Sequence, residues 1–136
     1  MKEVLILEDK SETRKVLAGL VKEVHSDAVI YEAADEKTAY DIAMKRTIDL
    51  FLVDIILHPQ QHDDVSGGEF AQNIRKVDKY LFTPILIITS MYDPKMCMYS
   101  SVHCYQFIEK PFDFEKVKQT IQEAIRYETY RKRTGH

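Results

Sequence analysis

Short apolar runs, each ending at a polar residue, constrain this chain more than any other feature. Residues 4–7 precede Glu8 and Asp9, residues 50–53 precede Asp54, residues 85–88 precede Thr89, and residues 105–108 lie just before Lys110. Apolar runs of this length bounded by charge are the pattern of strands buried on both faces. In an open parallel α/β sheet, ligands bind outside the carboxyl ends of the strands, so groups at those ends can converge on one pocket. Three carboxylates, a hydroxyl and an ammonium would then share a site.

Between these runs the apolar period changes to that of a helix. Val16, Leu17, Leu20, Val21 and Val24 fall at three- and four-residue steps, which predicts a helix over residues 11 to about 25. A second strand follows over residues 28–33, and Asp35 is placed to cap a helix presenting Ala39, Ile42 and Ala43. After the third strand comes a polar stretch, residues 58–66, closed by Gly67 and Gly68. Residues 69 to about 77 resume a helical pattern with Phe70 and Ile74 four apart, and Pro84 opens the fourth strand. Asp93 and Pro94 resemble a cap and a first-turn proline for a short helix reaching about Val102. Lys110 and Pro111 make a sharp exit from the fifth strand, and Asp113 caps a last helix carrying Phe114, Val117, Ile121, Ala124 and Ile125. Five β-α alternations specify one mostly parallel sheet with helices on both faces and right-handed crossovers.

A chain of 136 residues fits one domain, and 45% hydrophobic with 30% charged residues is globular, without low-complexity tracts. The net charge of −3 argues against a chain-wide nucleic-acid surface. The first apolar run is too short for a signal peptide and far below the roughly 20 residues of a membrane span, so the expected location is cytoplasmic. Cys97 and Cys104 form no CxxC pair and read as free thiols.

Glu8, Asp9 and Asp54 offer hard oxygen ligands, a set that suits Mg²⁺ better than zinc. Asp54, at the tip of a central strand, is the best nucleophile for a covalent aspartyl-phosphate. Gathering three carboxylates raises their mutual repulsion, which a dication or Lys110 would relieve. Phosphoryl transfer needs mostly positioning and charge neutralisation, so a metal on one side and an ammonium on the other are sufficient equipment. Thr89 can donate its hydroxyl to a phosphoryl oxygen.

Over residues 2–126 these features resemble a two-component response-regulator receiver domain. The resemblance rests on Glu8-Asp9, Asp54, Ser66-Gly67-Gly68-Glu69, Thr89-Ser90 and Lys110-Pro111-Phe112, five motifs in order at compatible spacings. It implies a flavodoxin-like, doubly wound sheet of five parallel strands in the order 2-1-3-4-5 with five helices. It also implies that Asp54 accepts a phosphoryl group from a sensor histidine kinase or a phosphotransfer protein. Glu8, Asp9, Asp54 and the carbonyl of Ile56 would bind Mg²⁺, Thr89 and Lys110 would hold the phosphoryl oxygens, and the Lys110-Pro111 bond would be cis. Phosphorylation would draw Thr89 inward, let Phe107 repack, and alter the surface of the fourth helix, fifth strand and fifth helix, where a homodimer could also form. Such a domain is a switch, not an enzyme beyond its own phosphorylation and dephosphorylation. Any DNA contact would belong to a separate output domain.

Two departures from the family pattern stand out. Phe107 lacks the hydroxyl that a tyrosine would bring to the switch position, and the loop between Asp54 and Gly67 is several residues longer than usual. Ile56 and Met91, both bulky and apolar, flank the expected approach of water and predict slow loss of phosphate. A Mg²⁺-dependent phosphatase of the haloacid-dehalogenase class is the rival reading, but it needs a second Asp where Ile56 stands. A nucleotide or flavin module would need a glycine-rich phosphate loop after the first strand, and neither GxxxxGK[ST] nor GxGxxG occurs there.

Other clusters read more simply. His58, His62, Asp63 and Asp64 are expected as solvated loop residues, and Cys97, His103 and Cys104 as helix-end residues. Residues 1–126 are expected to be the receiver, and residues 127–136 a basic extension of the last helix. Arg126, Arg131, Lys132 and Arg133 suit a helix C-terminus. A helix over residues 113–132 would span roughly 30 Å, more than a lone receiver needs, with Tyr127 and Tyr130 as apolar surface toward an output domain or partner.

Overall fold

The computed structural model describes residues 1–61, 64–90 and 103–135. Strands β1 (Glu3–Leu7), β2 (Val29–Ala33), β3 (Leu50–Val53), β4 (Ile85–Thr89) and β5 (Gln106–Glu109) alternate with helices α1 (Ser11–Val24), α2 (Glu36–Lys45), α3 (Ser66–Ile74) and α4 (Phe114–Arg133). A 3₁₀ turn, Asp78–Tyr80, precedes β4. The strands form one parallel sheet in the order β2-β1-β3-β4-β5, as the resemblance implied. Four of the five expected helices are described. The helix predicted after Pro94 lies outside the described residues, so the last helix of the sequence is α4 here.

Alternation within the strands divides the interior. Leu5, Leu7, Phe51, Val53, Ile85 and Ile87 face α2 and α3, whereas Val4, Ile6, Leu50, Leu52, Leu86 and Ile88 face α1 and α4. With both faces covered, neither face of β1, β3 or β4 can be polar, which is why these strands read as unbroken apolar runs. At the edge, β5 buries only Ile108 among its four residues.

The helices begin and end where local chemistry allows. Asp35 accepts the Thr38 amide at 2.8 Å and Asp113 accepts the Glu115 amide at 2.8 Å, each capping orphan donors at a helix start. Ser66 through Glu69 already belong to α3, and the pattern expected to run to about Val77 stops at Ile74. There the Arg75 guanidinium turns back to the carbonyls of Tyr80 (2.8 Å), Thr83 (2.8 Å) and His103 (3.2 Å), ordering the chain before β4. Val16 and Phe114, expected on buried stripes, are exposed. They instead border a shallow hollow with Pro111 and Phe112. The buried arc of α1 is Leu17, Leu20 and Val21, and Val16 lies beside it rather than on it.

The far end of α4 packs against its own domain. Glu128 is buried and takes Arg131 in a two-pronged contact, Nε at 2.9 Å and Nη2 at 2.7 Å. Lys132 hydrogen-bonds Asp49, whose second oxygen accepts the Glu3 amide at 2.8 Å. The basic residues expected to lead away are thus partly engaged at the base of the sheet, opposite Asp54.

Candidate functional site

The backbone ladder of the sheet runs directly into the site. The amide of Glu8 donates to Ala33 O (3.0 Å), that of Asp54 to Leu7 O (2.9 Å) and that of Lys110 to Thr89 O (2.9 Å). Each chemically important residue therefore leaves its strand immediately after a fixed rung, at one end of the sheet.

Ligand oxygens of Glu8, Asp9 and Asp54 gather within 4.8 Å of one another. Among the described residues this is the one cluster with the spacing of a metal site. Glu8 and Asp54 are buried and Asp9 is half-buried, so the cup opens on the Asp9 side. Lys110 reaches across it, its Nζ hydrogen-bonded to Glu8 Oε1 and 3.1 Å from Asp54 Oδ2. The Ile56 amide donates to the other Asp54 oxygen at 3.2 Å. Thr89 ends β4 one strand away, buried and paired with Glu109. The Lys110-Pro111 peptide is cis.

One ammonium cannot satisfy this many carboxyls in a buried place. Burial is the main force that pushes the Glu8 carboxyl up to about 8, and the neighbouring Asp9 and Asp54 add to it while Lys110 opposes it. Burial alone would depress the Lys110 ammonium. Its hydrogen bond to Glu8 and the Asp54 charge outweigh that cost and raise it. The site thus lacks positive charge. Three oxygen ligands in a half-open cup with an unmet demand for a cation fit a hard divalent ion such as Mg²⁺.

The structure adds a constraint at Gly67, which the sequence presents as the close of a loop and as part of the Ser66-Gly67-Gly68-Glu69 motif. Its amide donates to Ile55 O at 2.9 Å, and a Cβ at this position would lie 1.7 Å from Asp54 O. Only glycine lets α3 start so close to the backbone of Asp54. The Ser-Gly-Gly string was the available signal, but nothing in it points to Asp54.

The long loop has an internal organiser. Asp64, expected to be solvated, accepts the Leu57 amide (2.9 Å), the His58 amide (3.0 Å) and the Ser66 hydroxyl (3.0 Å) through one oxygen. Burial pushes its carboxyl up, but these hydrogen bonds prevail and hold it below the usual range. His58 Nε2 sits 3.3 Å from Glu36 at the start of α2. His62 and Asp63 lie outside the described residues, as do Met91 and Cys97.

Residues 4–122 match the response regulator receiver domain family. The chain belongs to this family. Receiver domains serve two-component signalling, and this receiver resembles further proteins of that kind. It is 28% identical over 122 residues to "Sensory transduction protein LytT" of Bacillus subtilis, covering 90% of this chain and 47% of that protein. The same-named protein of Enterococcus faecalis is 30% identical, with 89% and 47% covered. "Probable transcriptional regulator ycf29" of Porphyra purpurea is 30% identical over 89 residues, 64% of this chain and 40% of that protein. The chain spans about half the length, or less, of these curated relatives. Among solved structures, the chemotaxis response regulator CheY4 of Vibrio cholerae superposes with a TM-score of 0.75 at 26% identity, covering 91% of this chain and 98% of that one.

Proposed function

We propose that this receiver is a phosphorylation-controlled switch in which Asp54 takes a phosphoryl group from a sensor histidine kinase or a phosphotransfer protein. The observation that carries this reading is the Asp54 carboxylate, held between Lys110 Nζ at 3.1 Å and an acidic cup that fits a dication. Glu8, Asp9, Asp54 and the Ile56 carbonyl would hold Mg²⁺. When bound, the ion neutralises the clustered carboxylates and the incoming phosphoryl oxygens. An Asp54 oxygen forms the new bond to phosphorus as the phosphorus–nitrogen bond of a phosphohistidine breaks, and the nitrogen keeps the electron pair. Lys110 moves from carboxylate to phosphoryl oxygen, and the Thr89 hydroxyl donates to another.

The added charge then biases a two-state equilibrium, with Thr89 drawn inward and Phe107 repacking behind it. Phe107 is half-buried and borders the core on the α2–α3 side, so apolar packing alone would drive its movement. The altered surface would include β5 and α4, the face available for a homodimer or an output domain. The names of the relatives support an output in transcription or sensing, with any DNA contact made outside this domain. A cytoplasmic location accords with this reading, and among the described residues no helix is long and apolar enough to cross a membrane.

Incubation with Mg²⁺ and acetyl phosphate, followed by intact mass, tests the chemistry. Wild type should gain one phosphoryl adduct and Asp54→Asn none. No adduct on wild type, or an equal adduct on the variant, overturns it.

A further inference from the structure

Arg14 projects from the second turn of α1 toward the acidic corner and does two things at once. Its Nη1 donates to the backbone carbonyl of Glu8 at 2.9 Å, and its Nε donates to Glu32 Oε1 at 3.0 Å. Its side chain is only 16% exposed, against 34% for Glu32. Glu32 and Ala33 end β2 side by side, and Ala33 O receives the Glu8 amide at 3.0 Å. The end of β2 therefore holds both backbone polar groups of Glu8, the N–H directly and the C=O through the guanidinium.

We infer that Arg14 is a positioning residue for the cation site, fixing the peptide that joins Glu8 to Asp9 so that both carboxylates face one ion. The inference rests on the Mg²⁺ site proposed above. Once Glu8, Asp9 and Asp54 are all ionised to take a cation, like charges push these groups apart, and the carbonyl between the first two is where a rotation would separate them. A planar guanidinium with two donors in fixed relation can hold that carbonyl and a carboxylate together, which an ammonium cannot reproduce.

The sign of the effect separates this role from a simple charge effect. If Arg14 acted only as a nearby positive charge, removing it would tighten the binding of a dication. As a positioning residue, its removal weakens binding, and outer-shell partners of metal ligands typically contribute about 10- to 100-fold in affinity. If Arg14 merely ties α1 to β2, its removal lowers stability and leaves affinity alone.

Isothermal titration of Mg²⁺ into wild type, Arg14→Ala, Arg14→Lys and Glu32→Gln, with the thermal midpoint of each in EDTA, distinguishes these cases. The expected result is a loss of about 10-fold or more for Arg14→Ala. Arg14→Lys should restore part of the affinity, and Glu32→Gln should lose less than Arg14→Ala. These losses should not follow the order of the EDTA midpoints. Unchanged or tighter binding by Arg14→Ala overturns the inference, as do losses that track the midpoints. Should Arg14→Ala not fold, the wild-type affinity of both remaining variants overturns it. Absence of Mg²⁺ binding by wild type brings down the site itself, and the inference with it.

Discussion

The Glu8 carboxyl holds its proton to higher pH than an ordinary carboxyl, because desolvation outweighs the help that Lys110 can give. Its folded value of about 8 against an ordinary 4.5 means that the folded chain binds more protons than the unfolded one throughout that window. Stability therefore falls as pH rises through the window. The carboxyls of Asp35 and Asp64 are held below their ordinary 3.8, so their contributions are lost only in acid beneath the window. The raised Lys110 ammonium titrates above it. In EDTA the thermal midpoint should decline from about pH 5 to about pH 8, and saturating Mg²⁺ should flatten the decline by favouring the carboxylate. Glu8→Gln should flatten it without metal. An equally steep decline in that variant would show that the proton resides elsewhere. Gly67 supplies a second test at this scale, because a methyl there must displace the backbone of Asp54. Gly67→Ala should cost about 1–3 kcal/mol in urea unfolding and slow phosphorylation by acetyl phosphate. Gly19, exposed within α1 with nothing near its missing Cβ, is the control. There the same change should stabilise by roughly 0.5–1 kcal/mol.

Among the elements, α4 departs furthest from its expected role. The family match ends at residue 122, yet Ile125 and Glu128 are buried and the helix runs to Arg133. We read the receiver as reaching this far, with residues 127–133 fastened by Glu128 and Asp49. Arg131→Ala would leave the Glu128 carboxylate buried with, among the described residues, Lys132 at 3.7 Å as the remaining cation. The expected loss is roughly 1–3 kcal/mol in urea unfolding. Arg133→Ala, on the exposed side of the same turn, should stay within about 0.5 kcal/mol. Equal effects would mean that the last turns are a solvated extension after all. Sequence pattern could not reveal this fastening, because Asp49 and Lys132 are far apart in the chain and neither is apolar. Strands β1, β3 and β4 were legible for the opposite reason: burial on both faces leaves an unbroken apolar run that needs no knowledge of the partner. Composition marks Asp64 as a loop residue, but does not show that its half-buried carboxylate accepts the amides of its own loop. Asp54, Glu8 and Lys110 were legible from their positions after strands. The role of Gly67 depends on a close approach of two backbones, and the contacts of Arg14 on a side chain that reaches both the Glu8 carbonyl and Glu32 of β2, neither of which a local pattern encodes.

At the scale of the whole molecule, the sheet is unevenly secured. β1 and β3 lie between strands on both sides and helices on both faces, and every residue of β3 and β4 is buried. β5 is an edge strand with two of its four residues exposed, yet it precedes Lys110 and contains Phe107. A charge event at Asp54 meets rigid packing toward β1 and β3 and looser packing toward β5. Cores of the first kind resist gradual deformation, so the response should pass to β5, the edge strand next to Thr89 and Lys110, rather than through the central strands. Hydrogen exchange of the phosphorylated receiver, compared with the unmodified chain in the same Mg²⁺ buffer, should change in β5 and the turn through Phe112. The amides of β2 and α2 should be unaffected. Changes spread evenly over the sheet, or concentrated in β2 and α2, would contradict a switch that works through Thr89 and Phe107.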